Sequence, residues 1–162
     1  MAEVVRIREC VAADVEGMFR LDEICFDERF RFDRGSMRAF AMARDAVSLI
    51  AEDAGGGLMG LVIVHVEWRL KQRYGYVVTL DVAPEFRRLG VAGRLMEEAE
   101  RRVRLAGGTS MELHVFTGNA VAVVLYEGRG YVRVGMKAGF YGQGVDGAGL
   151  DAWVYRKEPL SM

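Results

Sequence analysis

The residues that point most clearly to a binding or catalytic role form a short segment at positions 87–93, Arg-Arg-Leu-Gly-Val-Ala-Gly. Its small residues, at 90, 92 and 93, allow a ligand to approach the backbone closely. If a helix begins here, its free N–H groups and the positive end of its dipole attract a phosphate or pyrophosphate. Arg87 and Arg88 add positive charge at the same end. The alternative is a helix whose first turn is rich in small residues only for packing.

The kind of phosphate ligand is narrowed by what this segment lacks. No Lys-Ser or Lys-Thr pair follows the glycines, which disfavours a loop for nucleoside triphosphates with magnesium. The Gly-x-Gly-x-x-Gly pattern of dinucleotide-binding folds is also incomplete. The pattern that remains is Arg-x-x-Gly-x-Ala, formed by Arg87, Gly90 and Ala92.

Three other side chains are candidates for a general base. His114 lies in a β-rich run in which Leu113 and Val115 would face the opposite side of the strand. It is either a base, acting directly or through water, or a histidine satisfied by a backbone carbonyl or by solvent at the strand end. Tyr76 and Glu28 are its rivals. By default Tyr76 is an aromatic residue at the edge of the core, and Glu28 is a solvated charge in an irregular loop.

Strands and helices alternate around these candidates. The order is strand, helix, helix, three strands, helix, strand, helix and two strands, which predicts an α/β fold with a mixed sheet of about seven strands and helices on both faces. The strand–helix–strand crossover requires a parallel pair between the strands around Val78 and Leu113. The predicted strands are 4–8, 47–52, 59–68, 74–82, 110–116, 131–134 and 152–156, and the predicted helices start after Asp14 and cover 36–43, 89–106 and 119–127.

Composition limits the class of protein. A chain of 162 residues, 51% hydrophobic and 28% charged, fits one domain over residues 1–162. The net charge of -1 disfavours a nucleic-acid partner. Charges in the first ten residues argue against a signal peptide, and the longest apolar run is too short for a membrane span. Neither the cysteines, Cys10 and Cys25, nor the histidines, His65 and His114, have metal-ligand spacing. We therefore expect a cytoplasmic protein without a catalytic metal.

Two sequence blocks carry a family resemblance. The segment from Arg87 to Ala92, between a predicted strand and a predicted helix, resembles the pyrophosphate loop of the GNAT superfamily of acyl-coenzyme A N-acyltransferases. Residues 119–131, with Asn119, Leu125-Tyr126 and Gly130-Tyr131, resemble the second block of that family. The element order agrees over the whole chain, whereas the specific motifs cover only about residues 76–131.

Within the superfamily the chain resembles protein N-terminal acetyltransferases, including the RimI-like enzymes that act on ribosomal proteins. The strand that begins at Tyr76 and is followed by Pro84, the segment around His114, and Phe140-Tyr141 ahead of a glycine-rich hairpin carry this likeness. Two features depart from the pattern. Glu28 follows Phe-Asp rather than Leu-Pro, and the hairpin is longer than usual.

The resemblance implies roles for individual residues. Tyr126 corresponds to the proton donor for the departing thiolate, and the backbone N–H of Val82 to the oxyanion donor. Asn119 either caps its own helix or holds the pantetheine arm of the coenzyme. The residues implied in binding acetyl-coenzyme A are Leu80, Val82, Arg87, Arg88, Leu89, Gly90, Val91, Ala92, Gly93, Asn119 and Tyr126. The residues implied in binding the acceptor are Phe26, Glu28, Tyr76, His114 and Tyr141.

These features together predict an acetyl-coenzyme A-dependent N-acetyltransferase in which an amine attacks the thioester directly. A peptide α-amine titrates near pH 8, against about 10.4 for lysine, so a modest base suffices for a protein N-terminus. Two alternatives remain. The acceptor could be a small-molecule amine or a lysine side chain, although arginines at 29, 31 and 34 make the first loop basic and disfavour a polyamine. A non-catalytic acyl-coenzyme A sensor would need neither Tyr126 nor His114.

Overall fold

The computed structural model describes residues 6–144 and 148–160. The strands in chain order are β1 Arg6–Glu9, β2 Ala46–Glu52, β3 Leu58–Arg69, β4 Gln72–Val82, β5 Gly108–Phe116, β6 Val132–Lys137 and β7 Ala152–Lys157. The helices are α1 Val15–Cys25, α2 Arg34–Ala41, α3 Val91–Leu105 and α4 Ala120–Gly128. Short 3-10 turns lie at Ala12–Asp14 and Pro84–Phe86. This is the element order that the sequence predicts.

The seven strands form one mixed sheet in the order β1-β2-β3-β4-β5-β7-β6. β4 and β5 are the parallel pair, with Val77 opposite Leu113, and the other neighbouring strands pair in antiparallel fashion. The predicted crossover is confirmed, because α3 connects β4 to β5. β6 lies at one edge of the sheet, where its partner among the described strands is β7.

Helices cover both faces of the sheet, as predicted. On one face, α3 packs Leu95, Met96 and Val103 against sheet residues such as Val62 and Val64, and residues of α4 join the same cluster. On the other face, α1 and α2 pack against the alternate residues of the central strands, including Ile50, Leu61 and Ile63. Burial on both faces explains why residues 49–51 of β2 and 59–64 of β3 carry no charged or polar side chain and do not alternate.

Several element boundaries differ from the predicted ones for local reasons. α2 begins at Arg34 rather than Ser36, because the side chain of Asp33 accepts the Ser36 N–H and caps the helix. α3 begins at Val91, since Gly90 has a φ of 79° and serves as the N-cap. β6 extends to Lys137, where it still pairs with β7. Of the first predicted strand, residues 4 and 5 lie outside the described residues.

One irregularity in β4 decides the shape of the sheet centre. The register against β3 passes from Val77 opposite Val64 to Thr79 opposite Ile63, so Val78 is an extra residue that forms a β-bulge. Pairing between β4 and β5 also ends at Val77, although both strands continue beyond it. The two central strands therefore separate from this point onward and leave an opening between them.

Gly60 shows how closely β3 and β4 approach beside this opening. A Cβ atom at position 60 would lie 2.7 Å from the Asp81 carbonyl oxygen and 3.3 Å from Leu95. We predict that Gly60→Ala lowers the free energy of unfolding by about 1–3 kcal/mol, because the β4 backbone must shift. Gly135→Ala is the control, since its Cβ would have no neighbour closer than 4.0 Å. Urea unfolding of both variants measures the difference, and equal stabilities would contradict the prediction.

Candidate active site

A cavity of about 860 Å³ fills the opening between β4 and β5. Residues 77–80 of β4 and 113–116 of β5 form its walls, and the loop after α1 closes it on one side. We name that loop, residues 26–33, the acceptor loop. Side chains from both faces of the sheet reach the cavity, because the strands no longer separate those faces here. The arrangement matches the channel between two central strands that the family resemblance implies.

His114 and Tyr76 form a hydrogen-bonded pair in the cavity wall. The Tyr76 hydroxyl lies 2.6 Å from Nδ1 of His114, and the His114 ring stacks on Phe140 with 4.4 Å between the centroids. Nε2 of His114 is buried and has no hydrogen-bond partner among the described residues. Burial, followed by the charge of Lys137, lowers the pKa of His114. The imidazole is therefore neutral at pH 7 with one ring nitrogen uncommitted.

Tyr126 reaches the cavity from α4, on the face of the sheet that α3 covers. Its side chain is buried, and burial raises the pKa of its phenol, so the hydroxyl is protonated at neutral pH. Asn119 also lines the cavity and accepts the Ala122 N–H at 3.1 Å, which shows that it caps α4. The protonated phenol of Tyr126 can donate a proton but cannot act as a base.

The start of α3 offers backbone N–H groups for which the described part of the chain supplies no acceptor. Arg88 and Gly90 have positive φ angles of 66° and 79°, and no side chain caps the helix. The first hydrogen bond of the helix is donated by the Arg94 N–H to the Gly90 carbonyl. The N–H groups of residues 91–93 are therefore free to bind an anion, as the sequence predicted for this turn.

Val82 has a carbonyl group that points away from β3. It accepts hydrogen bonds from the Cys25 thiol at 3.4 Å and from Nε of Arg87 at 3.1 Å. The N–H and C=O of one strand residue point to the same side, so the Val82 N–H also faces away from β3, toward the side that β5 has left. Ala83 donates to Met59 of the sheet instead. The Val82 N–H is thus placed to receive a ligand oxygen.

The structure brings most of the predicted site residues together. The cavity is lined by Phe26, Tyr76, Leu80, His114, Asn119, Tyr126 and Tyr141. Val82 and residues 87–93 form the adjoining turn at the end of β4. Glu28 is exposed on the acceptor loop and is not part of the cavity lining, so it is separated from the other two candidate bases. Burial raises the pKa of Tyr141 to about 12.

Sequence reasoning missed several residues of the site. Phe30 packs against both Phe116 and Tyr141, with 5.1 Å between ring centroids in each case, and these rings form an aromatic wall. The density of aromatic residues in the acceptor loop was the available signal. Arg129 was also missed. A Cβ added at Gly93 would lie 3.2 Å from its Nη1, so this guanidinium lies over the first turn of α3.

The described ranges contain neither a metal-binding cluster nor a membrane-spanning helix. Within residues 6–144 and 148–160, no three His, Cys, Asp or Glu side chains are grouped so that they could hold a metal ion. No helix in the same ranges is long and apolar enough to cross a membrane.

The two sequence blocks that resemble the acyl-coenzyme A N-acyltransferases thus lie at the uncapped helix start and beside the opening between the central strands. Residues 15–131 match the acetyltransferase (GNAT) family. Because this match covers most of the chain, the protein belongs to that family.

Two named relatives and one solved structure are similar to this chain. It is 36% identical to N-alpha-acetyltransferase 20 of Dictyostelium discoideum over 93 residues, which cover 57% of this chain and 54% of that protein. It is 31% identical to the catalytic subunit ard1 of the Schizosaccharomyces pombe N-terminal acetyltransferase A complex over 110 residues, or 65% of this chain and 62% of that protein. The chain thus spans less than two thirds of the length of either relative. Its fold is similar to that of the Escherichia coli ribosomal-protein-S18-alanine N-acetyltransferase, with a TM-score of 0.83, 19% identity, and coverage of 98% of this chain and 96% of that one.

The environment of His114 leads to a prediction about its titration. Lys137 contributes to lowering the pKa of His114 and lies 5.8 Å from the centre of the stacked Phe140 ring. We predict that Lys137→Gln raises the pKa of His114, because a nearby positive charge disfavours the imidazolium. NMR titration of the ring protons measures the change. Lys71→Gln, in the exposed turn between β3 and β4, should leave this pKa unchanged, and an equal effect of both variants would contradict the assignment.

Proposed function

We propose that this protein is an Nα-acetyltransferase, which transfers the acetyl group of acetyl-coenzyme A to the α-amine of a protein or peptide N-terminus. The observation that carries the proposal is the His114–Tyr76 pair, which leaves a buried, uncommitted nitrogen in a cavity beside a free helix start. Membership of the GNAT family and the names of the two relatives support the same reaction.

Acetyl-coenzyme A fits the donors at the end of β4. Its pyrophosphate would accept the N–H groups of residues 91–93, and Arg88 and Arg129 would add charge close to it. An arginine over a helix N-terminus is electrostatically unfavourable unless an anion binds between them, so the position of Arg129 supports a phosphate ligand. The pantetheine arm would then run from that turn along the free edge of β4 and bring the thioester to Val82, with Leu80 beyond it in the cavity wall.

Direct attack of the amine on the thioester gives a role to His114, Val82 and Tyr126. In the tautomer that this mechanism requires, His114 donates its Nδ1–H to the Tyr76 oxygen, 2.6 Å away, and Nε2 accepts a proton from the acceptor ammonium, directly or through water. The neutral amine attacks the carbonyl carbon, and the Val82 N–H stabilises the resulting oxyanion. The carbon–sulfur bond then breaks, and the thiolate takes the phenolic proton of Tyr126. The added nitrogen gives its remaining extra proton to the Tyr126 phenolate through water, and His114 releases its proton to solvent, which leaves an amide, coenzyme A and the enzyme in its starting state.

The cavity walls favour a peptide terminus as the acceptor. The acceptor loop and the segment at Phe140-Tyr141 meet where Phe30 contacts Tyr141, and both line the cavity with aromatic side chains. Apolar walls suit the first side chain of a peptide and disfavour a polycationic amine. A RimI-like preference for the N-terminus of a ribosomal protein is the narrower form of this proposal. A cytoplasmic location, where Cys10 and Cys25 would remain reduced, is part of it.

A panel of peptides tests the proposal directly. We predict that incubation with acetyl-coenzyme A adds one acetyl group to the N-terminus of at least one peptide class. Mass spectrometry with fragmentation measures the site of acetylation. The same peptides with a blocked N-terminus and one internal lysine are the control and should not react. Turnover of a polyamine or of lysine, with no N-terminal product on any peptide, would contradict the proposal.

Substitutions at the proton-transfer groups test the mechanism. We predict that His114→Gln and Tyr126→Phe each lower kcat by about 100-fold or more, because each removes a positioned proton-transfer group. The dissociation constant for acetyl-coenzyme A should change less than about threefold, since the phosphate contacts remain. Tyr74→Phe is the matched control, because its hydroxyl binds Glu67 outside the reacting groups. Steady-state kinetics would contradict the mechanism if either site variant retained the kcat of the control.

A further inference from the structure

Two aspartates are buried behind the wall of the cavity. Asp22 on α1 and Asp81 on β4 are each 1% exposed, and neither belongs to the cavity lining. Oδ2 of Asp22 accepts the backbone N–H of Phe32, at 2.8 Å. One oxygen of Asp81, Oδ1, accepts the Thr79 hydroxyl at 2.6 Å. Each carboxyl group therefore uses one oxygen to hold a segment that lines the cavity.

The two carboxyl groups lie near one another between α1 and β4, where the Cys25 thiol of α1 also reaches the Val82 carbonyl of β4. The two groups lie within range of a mutual hydrogen bond. Oδ1 of Asp22 and Oδ2 of Asp81 are buried, and neither has another hydrogen-bond partner in the described part of the chain. Two buried carboxylates this close cannot both be ionised, because their charges repel in a medium that solvates neither. One proton between the two free oxygens satisfies both of them.

Among the described residues, no cationic side chain occupies the place of that proton. The groups that face the pair are the Cys25 thiol from α1, the Thr79 hydroxyl from β4 and the Tyr126 phenol from α4. Arg87, from the turn after β4, directs its Nε to the Val82 carbonyl instead. Burial and then the proximity of Asp22 raise the pKa of Asp81 well above its ordinary value, and the Thr79 hydrogen bond only partly opposes this.

We propose that Asp22 and Asp81 share one proton, and that this hydrogen bond fixes the acceptor loop against the separated half of β4. Asp22 holds the loop through Phe32, and Asp81 lies between Leu80, which lines the cavity, and Val82, which offers the oxyanion donor. They are positioning residues, because neither contacts the cavity. The effect on catalysis rests on the acyl transfer proposed above, whereas the shared proton does not.

Stability should depend on pH in a defined direction. The folded state binds the Asp81 proton more tightly than the unfolded chain, so the stabilisation from this proton is complete at low pH and is lost as pH rises toward the raised pKa of Asp81. In Asp81→Asn the amide donates to Asp22 at every pH. The Tm of Asp81→Asn minus the Tm of the wild type should therefore increase by about 3 °C or more between pH 5 and pH 8.

The experiment combines titration, unfolding and kinetics. Carbonyl-detected NMR of the wild-type chain should show Asp81 titrating well above the ordinary range of an aspartate. Glu97→Gln, at an exposed carboxylate on α3, is the control, and its Tm difference from the wild type should stay constant with pH. In peptide assays, the ratio of wild-type to Asp81→Asn KM for the peptide should rise by about threefold across the pH range in which the NMR experiment shows Asp81 to titrate, while the ratio for acetyl-coenzyme A stays constant.

The possible outcomes separate this inference from the proposed function. An ordinary titration of Asp81, or a Tm difference that is flat with pH, would overturn the shared proton. Asp22→Asn should reproduce the effect of Asp81→Asn on Tm, and it replaces that variant if the latter does not fold. A shared proton with equal pH dependence of both KM ratios would overturn the positioning role. If no peptide is acetylated at all, the titration and the Tm series still decide whether the proton is shared.

Discussion

The separation of β4 from β5 is the constraint on which the rest of the site depends. Once two parallel strands part, the backbone groups along their facing edges lose their partners and must find others. The Val82 carbonyl accepts hydrogen bonds from Cys25 and Arg87, whereas the Val82 N–H faces the cavity. The same separation lets His114, from the α1 side of the sheet, and Tyr126, from the α3 side, meet in one cavity. A fully paired sheet would hold these two side chains on opposite sides.

Desolvation is the largest cause of the pKa shifts of the titratable groups in the site. Burial lowers the pKa of His114 and raises the pKa of Tyr76, Tyr126 and Tyr141, so each of these groups is neutral near pH 7. Formal charge is found instead at the turn that begins α3, where arginines and free N–H groups face the position proposed for the phosphates. The site therefore combines a cationic end for an anionic carrier with a neutral centre for proton transfer.

Much of this arrangement could be predicted from sequence, because it follows from local patterns. The apolar spacing of α3, the Asn119 cap and the small residues at 90–93 are short-range signals, and the structure confirms the elements that they predicted. The pairing of His114 with Tyr76 could be named only as a choice between rivals, since it depends on the register of β4 against β5. The bulge at Val78 gave no signal, and a strictly alternating strand would place Asp81 on the same face as Val77.

That extra residue makes the spacing within β4 as important as its composition. Val77 packs against the α3 side, whereas Asp81 faces Asp22 of α1, and only an inserted residue reconciles these two orientations. Straightening the strand without removing a residue would restore strict alternation and turn the carboxyl group of Asp81 into the apolar layer beneath α3. Homologous chains can therefore exchange side chains along this strand with some freedom, but a chain that lost the bulge at unchanged length would close the cleft and bury an unpaired acid.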